Sequence, residues 1–209
     1  MDSRTAIFQK LSQKKPSFAL SRAELEYKHV VPDTSDSPDE LLARFIREAE
    51  KLSCTIHQVA NEKEAIDEIL ALVKDEKRVL GWSFEQIGLA HLEEAFAENE
   101  IDLDETENPE VRYGITGVET ALAATGSIVL ASGAGKSRAA SLLPPIHIAV
   151  LRSNQIIPDL ESWVAQKPDF QDVSNLFLVS GPSKTADIAM ELVMGMHGPQ
   201  ALQIVLISV

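Results

Sequence analysis

Four largely apolar runs, at residues 127–131, 146–151, 176–179 and 202–207, constrain this chain more than any other feature. Each contains branched residues, is bounded by glycine, proline or polar residues, and lacks the period of an amphipathic helix. Strands of this kind must be covered on both faces, as in a largely parallel sheet held between helical layers. Upstream, helix and strand signals alternate. A helix is expected from Pro38, with Ser37 as cap and Leu41, Leu42, Phe45, Ile46 and Ala49 as its apolar stripe. A strand at 55–59 follows, then a helix opened by Asn61 that carries Ala65, Ile66, Ile69, Leu70 and Val73. A strand at 78–82 and a helix at 89–96 complete this half. Ser3 is placed to cap a first helix bearing Ile7, Phe8 and Leu11, and the stretch 14–37 then loses periodicity and ends as a linker. The expected division is an N-terminal helix and linker arm over 1–37, followed by one α/β domain over 38–209.

Composition narrows the partners. The net charge is −13 and is uneven: residues 1–110 carry 25 acidic and 13 basic side chains, residues 111–209 only 7 and 6. An acidic surface repels phosphate backbones and no basic stripe offsets it, so nucleic acid is not an expected partner. No run approaches the ~20 apolar residues of a membrane span, and residues 1–15 show no apolar signal core. The single cysteine, Cys54, cannot form an intrachain disulfide or by itself hold an iron–sulfur cluster or a cysteine-based zinc site. The histidines lack metal-ligand spacing. A cytoplasmic protein with no metal and no cofactor of its own is the expectation.

In open α/β sheets ligands gather beyond the carboxyl ends of strands, where loops feed helix N-termini. Three segments have that character. Residues 114–119 (Gly-Ile-Thr-Gly-Val-Glu) lead through an expected helix into Ala-Thr-Gly-Ser. Residues 132–138 (Ser-Gly-Ala-Gly-Lys-Ser-Arg) and 181–187 (Gly-Pro-Ser-Lys-Thr-Ala-Asp) each follow a strand directly. The Gly-Lys-Ser at 135–137 lacks the first glycine of a phosphate-binding Walker loop, because Leu130 stands there inside a strand. A nucleotide triphosphatase is therefore not expected. The bland reading is a glycine-rich turn with two exposed cations, Lys136 and Arg138. In the third segment Ser183 and Thr185 read as helix caps with Lys184 beside them, and Asp187 stands one turn in. A well-capped helix explains that pattern as well as an anion site does. The concrete pocket expected is built from Thr116, Gly117, Gly126, Arg138, Ser183, Lys184 and Thr185. Glu119 and Asp187 are the candidates for a general base or nucleophile. His147 and His197 read as structural histidines, and Trp82 as a cleft or core-edge residue.

Beyond this point several ordered motifs speak together. Gly-Ile-Thr-Gly-Val-Glu, Ala-Thr-Gly-Ser-Ile-Val-Leu-Ala-Ser-Gly, Ser-Leu-Leu-Pro-Pro-Ile-His-Ile-Ala-Val, Gly-Pro-Ser-Lys-Thr-Ala-Asp-Ile and His-Gly-Pro before the last strand resemble the LUD domain family. The resemblance implies a three-layer α/β/α sandwich with a mostly parallel sheet, similar to the NagB/RpiA/CoA-transferase fold. It also implies membership of a system oxidising L-lactate to pyruvate, in which partner proteins carry the iron–sulfur and redox centres. This chain would then be a non-redox accessory subunit that binds a small anionic metabolite. An independent enzyme acting on a phosphorylated or acyl metabolite, and a non-catalytic ligand sensor, are the alternatives. An acid that related sequences place before the Thr-Gly is Ala124 here. Were that acid catalytic in them, its loss would point to binding or assembly in this chain.

Overall fold

The computed structural model describes Arg4, Lys10 and residues 37–104, 110–166, 173–186, 192–195 and 197–209. The chain divides into two compact units, Met1–Asp33 and Thr34–Val209. Of the first, Arg4 and Lys10 are helical. The expected helix residues Ser3, Ile7, Phe8 and Leu11, the linker and Asp187 lie outside the described residues.

The second unit begins as the capping residues dictate. Helix α1 (Pro38–Lys51) has proline at its first position, and Ser37 Oγ accepts a hydrogen bond from the Glu40 amide. It buries Leu41, Phe45 and Ala49. After β1 (Thr55–Val59), helix α2 (Glu62–Val73) opens on a reciprocal cap. Asn61 Oδ1 accepts from the Glu64 amide at 3.0 Å, and Glu64 Oε2 accepts from the Ala60 amide at 2.9 Å. Asn61→Ala removes the forward half of this pair. The expected loss is about 1 kcal/mol, which is about 2–4 °C in a thermal melt of a chain this size.

A six-stranded sheet forms the centre. Its further strands are β2 (Arg78–Gly81), β3 (Asp102–Asp104), β4 (Tyr113–Thr116), β7 (Ile146–Arg152) and β12 (Ala201–Ile207), in the order β1-β12-β7-β4-β2-β3. Every neighbouring pair is parallel. Alternation sends Gln203 and His57 to one face, where Glu68 of α2 meets His57 Nδ1 at 2.7 Å. Gly114 and His147 face the other way, beneath the short helix α5 (Ala139–Leu142). Between β2 and β3 the expected helix at 89–96 is two helices, α3 (Phe84–Ile87) and α4 (Leu92–Glu98). Gly88, with φ of 79°, ends α3 in a left-handed cap that branched residues would resist.

Two of the four apolar runs leave the parallel sheet. Strands β6 (Ser127–Ser132) and β9 (Asn175–Val179) pair antiparallel in a second sheet of order β8-β5-β6-β9. Its other strands are β5 (Thr120–Leu122) and β8 (Ile156–Ile157). β6 is buried along its whole length, so its sequence looks like that of a parallel core strand. β9 is only half covered, contrary to the expectation of burial on both faces. The helix expected after residue 119 is absent as well. β5 turns through Gly126 straight into β6, with the Gly126 amide donating to Leu122 O at 2.9 Å. A helix α6 (Leu160–Ala165) follows β8, its amide at Ser162 capped by Asp159. None of the described helices is long and apolar enough to cross a membrane.

The third loop segment also differs from expectation. Residues 184–186 form β10 (Lys184–Ala186), paired antiparallel with β11 (Leu192–Met194), so Ser183 and Thr185 do not open a helix. Sideways bonds impose this. The Ser183 amide donates to Pro199 O at 2.8 Å, and the Gly195 amide donates to Ser183 O at 2.9 Å. Among the described residues, Ser183 and Thr185 therefore form no helix N-terminus.

Candidate functional site

Thr116 ends β4 with its side chain in the core. Its Oγ1 lies 2.9 Å from His147 Nε2, and both residues are buried. Desolvation holds the His147 imidazole neutral, with a pKa lowered to about 3. The Nδ1 of this ring and the Nε1 of buried Trp82 have no hydrogen-bond partner among the described residues. Thr116 thus serves a buried histidine, and the expectation that it lines a pocket fails.

Gly117 and Gly126 are packing positions too. A Cβ on Gly117 would lie 2.6 Å from Gln86 O, and one on Gly126 would lie 2.2 Å from the Ala49 amide nitrogen of α1. Lys184 reaches α1 from elsewhere. Its Nζ donates to Leu52 O at 3.0 Å and to Ser53 Oγ at 2.9 Å, satisfying orphan groups at that helix end.

At the carboxyl edge of the parallel sheet, Glu119 is ion-paired with Lys136, and the Lys136 ammonium sits 5.4 Å from the centroid of the Trp82 ring. Glu119 precedes β5 in a bend and is not a helix residue. Lys136 is accordingly a partnered, partly buried cation, where an exposed one was expected. Arg152 closes the same edge by pairing with Glu62 and donating to Gly88 O at 2.6 Å. The concavity here, about 400 Å³, is lined by Glu62, Glu85 and Glu93. With Glu62 already paired to Arg152, Glu85 and Glu93 leave this concavity acidic, which disfavours an anion in it.

Two further concavities meet at Arg138. One, of about 420 Å³, brings together Arg138 at the start of α5, Ser183, and His197 with Gly198 and Pro199 just before β12. This is the amino edge of β12, not its carboxyl edge. A second, also about 420 Å³, is lined by Lys136, Ser137 and Arg138 together with Ser132, Ser174 and Asn175. Arg138 and Asn175 belong to both. Arg138 is exposed, and among the described residues its guanidinium makes no hydrogen bond or ion pair. Of the residues expected to bind, the fold unites Arg138 and Ser183, and the side chain of Thr185 lies outside what is described. His197, read as structural, lines the cleft with Asn175, Phe177 and Leu178, which the sequence did not single out. The His-Gly-Pro before the last strand was the available signal. Among the described residues no cluster of His, Cys, Asp and Glu is disposed to hold a metal. Burial pushes the Cys54 thiol up to about 11.

A model of the LUD domain matches residues 42–207. The chain belongs to the LUD domain family. It is 30% identical over 181 residues to a lactate utilization protein C of Halalkalibacterium halodurans, covering 78% of this chain and 77% of that one. A lactate utilization protein C of a Geobacillus strain is 31% identical over 132 residues, 61% of this chain and 53% of the relative. The Bacillus subtilis protein of that name is 35% identical over 108 residues, 47% and 43% of the two chains. In fold, the chain is similar to the crystal structure of a DUF162 family protein from Deinococcus radiodurans. The TM-score is 0.57 at 21% identity, over 82% of this chain and 98% of that one.

Within this LUD domain, the Gly-Ile-Thr-Gly and Ala-Thr-Gly motifs are explained by packing. A Cβ on Gly114 would fall 1.8 Å from Ala140 O, so the glycine admits α5 against β4. That contact carries Arg138 to the cleft, because α5 begins immediately after it.

Proposed function

We propose that this LUD-domain chain is a non-redox accessory subunit of an L-lactate utilisation system and binds a small anionic metabolite at the Arg138 cleft. The relatives named lactate utilization protein C support the system. The observation that carries the binding role is the Arg138 guanidinium standing at the junction of two concavities, with Ser183 and His197 on one side and Lys136 on the other. A planar guanidinium pairs with a carboxylate or phosphate through two parallel hydrogen bonds. The redox step is assigned to iron–sulfur partner proteins, since Cys54 is the lone cysteine and is buried.

Calorimetric titration of the full chain with inorganic phosphate, pyruvate and L-lactate tests the binding role. Arg138→Ala is expected to weaken whichever anion binds by about tenfold or more, the loss of the charge-assisted pair of hydrogen bonds, with the melting temperature unchanged. Equal affinity in the variant rejects Arg138 as the anchor. The subunit role is tested in the native host. Deleting the gene should abolish lactate oxidation, and the tagged protein should co-purify with cysteine-rich iron–sulfur proteins. A host still oxidising lactate after deletion sinks that role. The alternative of an independent enzyme has weaker support, because the Glu119 carboxylate is tied to Lys136 and is not a free base.

A further inference from the structure

We infer that the ligand of the Arg138 cleft is an amphipathic anion, an apolar chain or ring carrying one phosphate or carboxylate. This deepens the reading of the cleft as an anion site and rests on it. The two concavities that meet at Arg138 differ in chemistry. One is hydroxyl-rich, lined by Ser132, Ser137 and Ser174, with Arg138 as its cation and Lys136 held by Glu119. The other is mixed: Ser183, His197 and Asn175 line it with Arg138, and Leu142, Phe177, Leu178 and Val179 give it an apolar part. Leu142 and Leu178 are 40% and 47% exposed, large side chains left in water beside a cation. An apolar wall with a few convergent polar groups at one end is the usual anatomy of a small-molecule site.

Size argues the same way. Counting roughly 30 Å³ per non-hydrogen atom, as for liquid water, a hydroxy acid of lactate's size displaces on the order of 150–200 Å³. Either concavity alone holds about 420 Å³. Lactate would satisfy Arg138 and leave the apolar wall wet. A chain extending from the guanidinium toward the exposed Leu142 and Leu178 side chains covers it. The same head-and-chain chemistry occurs in membrane lipids; the excess acid of residues 1–110 disfavours approach to an anionic bilayer, and the occupant we infer is a soluble molecule.

Calorimetry of the full chain with acetate, butanoate, hexanoate and octanoate, beside L-lactate and inorganic phosphate, tests the assignment. Affinity should rise about three- to fourfold per added methylene while the chain remains on the wall. Leu178→Ser should flatten that rise and leave acetate unchanged. Leu160→Ser, an exposed leucine on α6, should change nothing. Arg138→Ala should weaken every member alike. Affinity independent of chain length overturns the amphipathic ligand while leaving the anion site standing. If none of the anions binds, the anion site itself fails. Phosphatidylglycerol vesicles provide the last arm, in which the protein should stay in the supernatant. Co-sedimentation without octanoate binding would overturn the soluble ligand in favour of a lipid surface.

Discussion

Gly126→Ala is expected to lower the melting temperature by about 6–12 °C, the shift that about 3 kcal/mol produces in a domain of this size. Two costs combine. The residue has φ of 65°, a left-handed conformation that disfavours any Cβ by about 1 kcal/mol or more. The added Cβ would also sit 2.2 Å from the Ala49 nitrogen and 2.4 Å from the Glu48 carbonyl carbon. Those are backbone atoms of α1, fixed by the helix ladder, so the hairpin must move away, and overpacking of this kind costs about 1–3 kcal/mol. Gly198→Ala is the control. Its Cβ would meet Ser183 Cβ at 3.4 Å, an ordinary contact, and stability should stay within ~0.5 kcal/mol. A Gly126→Ala protein melting with the wild type would mean that the second sheet does not pack on α1 as described.

Acid should unfold this protein earlier than its carboxylates alone require. The folded state keeps His147 neutral down to about pH 3, because burial removes the water that would solvate an imidazolium. In the unfolded chain the same ring takes a proton near its ordinary pKa of ~6.5. Below that pH the unfolded state binds more protons, so stability is complete above pH ~6.5 and falls as pH drops toward 3. Between pH 7 and pH 5 the expected loss is about 2 kcal/mol, before most carboxylates begin to titrate. Urea unfolding at the two pH values measures it. His147→Gln should remove most of the slope, whatever it does to the absolute stability. A wild-type curve flat from pH 7 to pH 5 would show that His147 is protonated in the folded protein.

Much of the architecture was legible because it is set locally. Ser37 and Pro38 start α1, and Asn61 with Glu64 starts α2, since caps act within one turn. β7 and β12 follow from apolar runs rich in branched residues, and β1 from a short stretch in the alternating pattern upstream. What misled was a pattern that two environments share. β6 is buried on both faces in an antiparallel sheet on α1, and its side chains do not distinguish that from a parallel core strand. Likewise Ser183 and Thr185 have the composition of a helix cap, but hydrogen bonds to Pro199 and from Gly195 pull the backbone into a hairpin.

The candidate site was legible by residue type and illegible by place. Arg138 and Ser183 were singled out because cations and hydroxyls bind anions, and they do line one cleft. Thr116, Gly117 and Gly126 carried the same promise and are spent on His147, α3 and α1. The acidic concavity at the carboxyl edge and the cationic one at the amino edge of β12 arise from segments far apart in the chain. The sequence by itself determined the alternating helices and strands, the family, and a C-terminal half relieved of the excess acid. Those depend on residue identity and short-range periodicity. Only the tertiary structure decided which glycines are packing contacts, which strands form the second sheet, and that Lys136 is paired while Arg138 has no ion pair among the described residues. Each of those is a contact between remote segments, fixed by how layers close on one another rather than by any local preference of the chain.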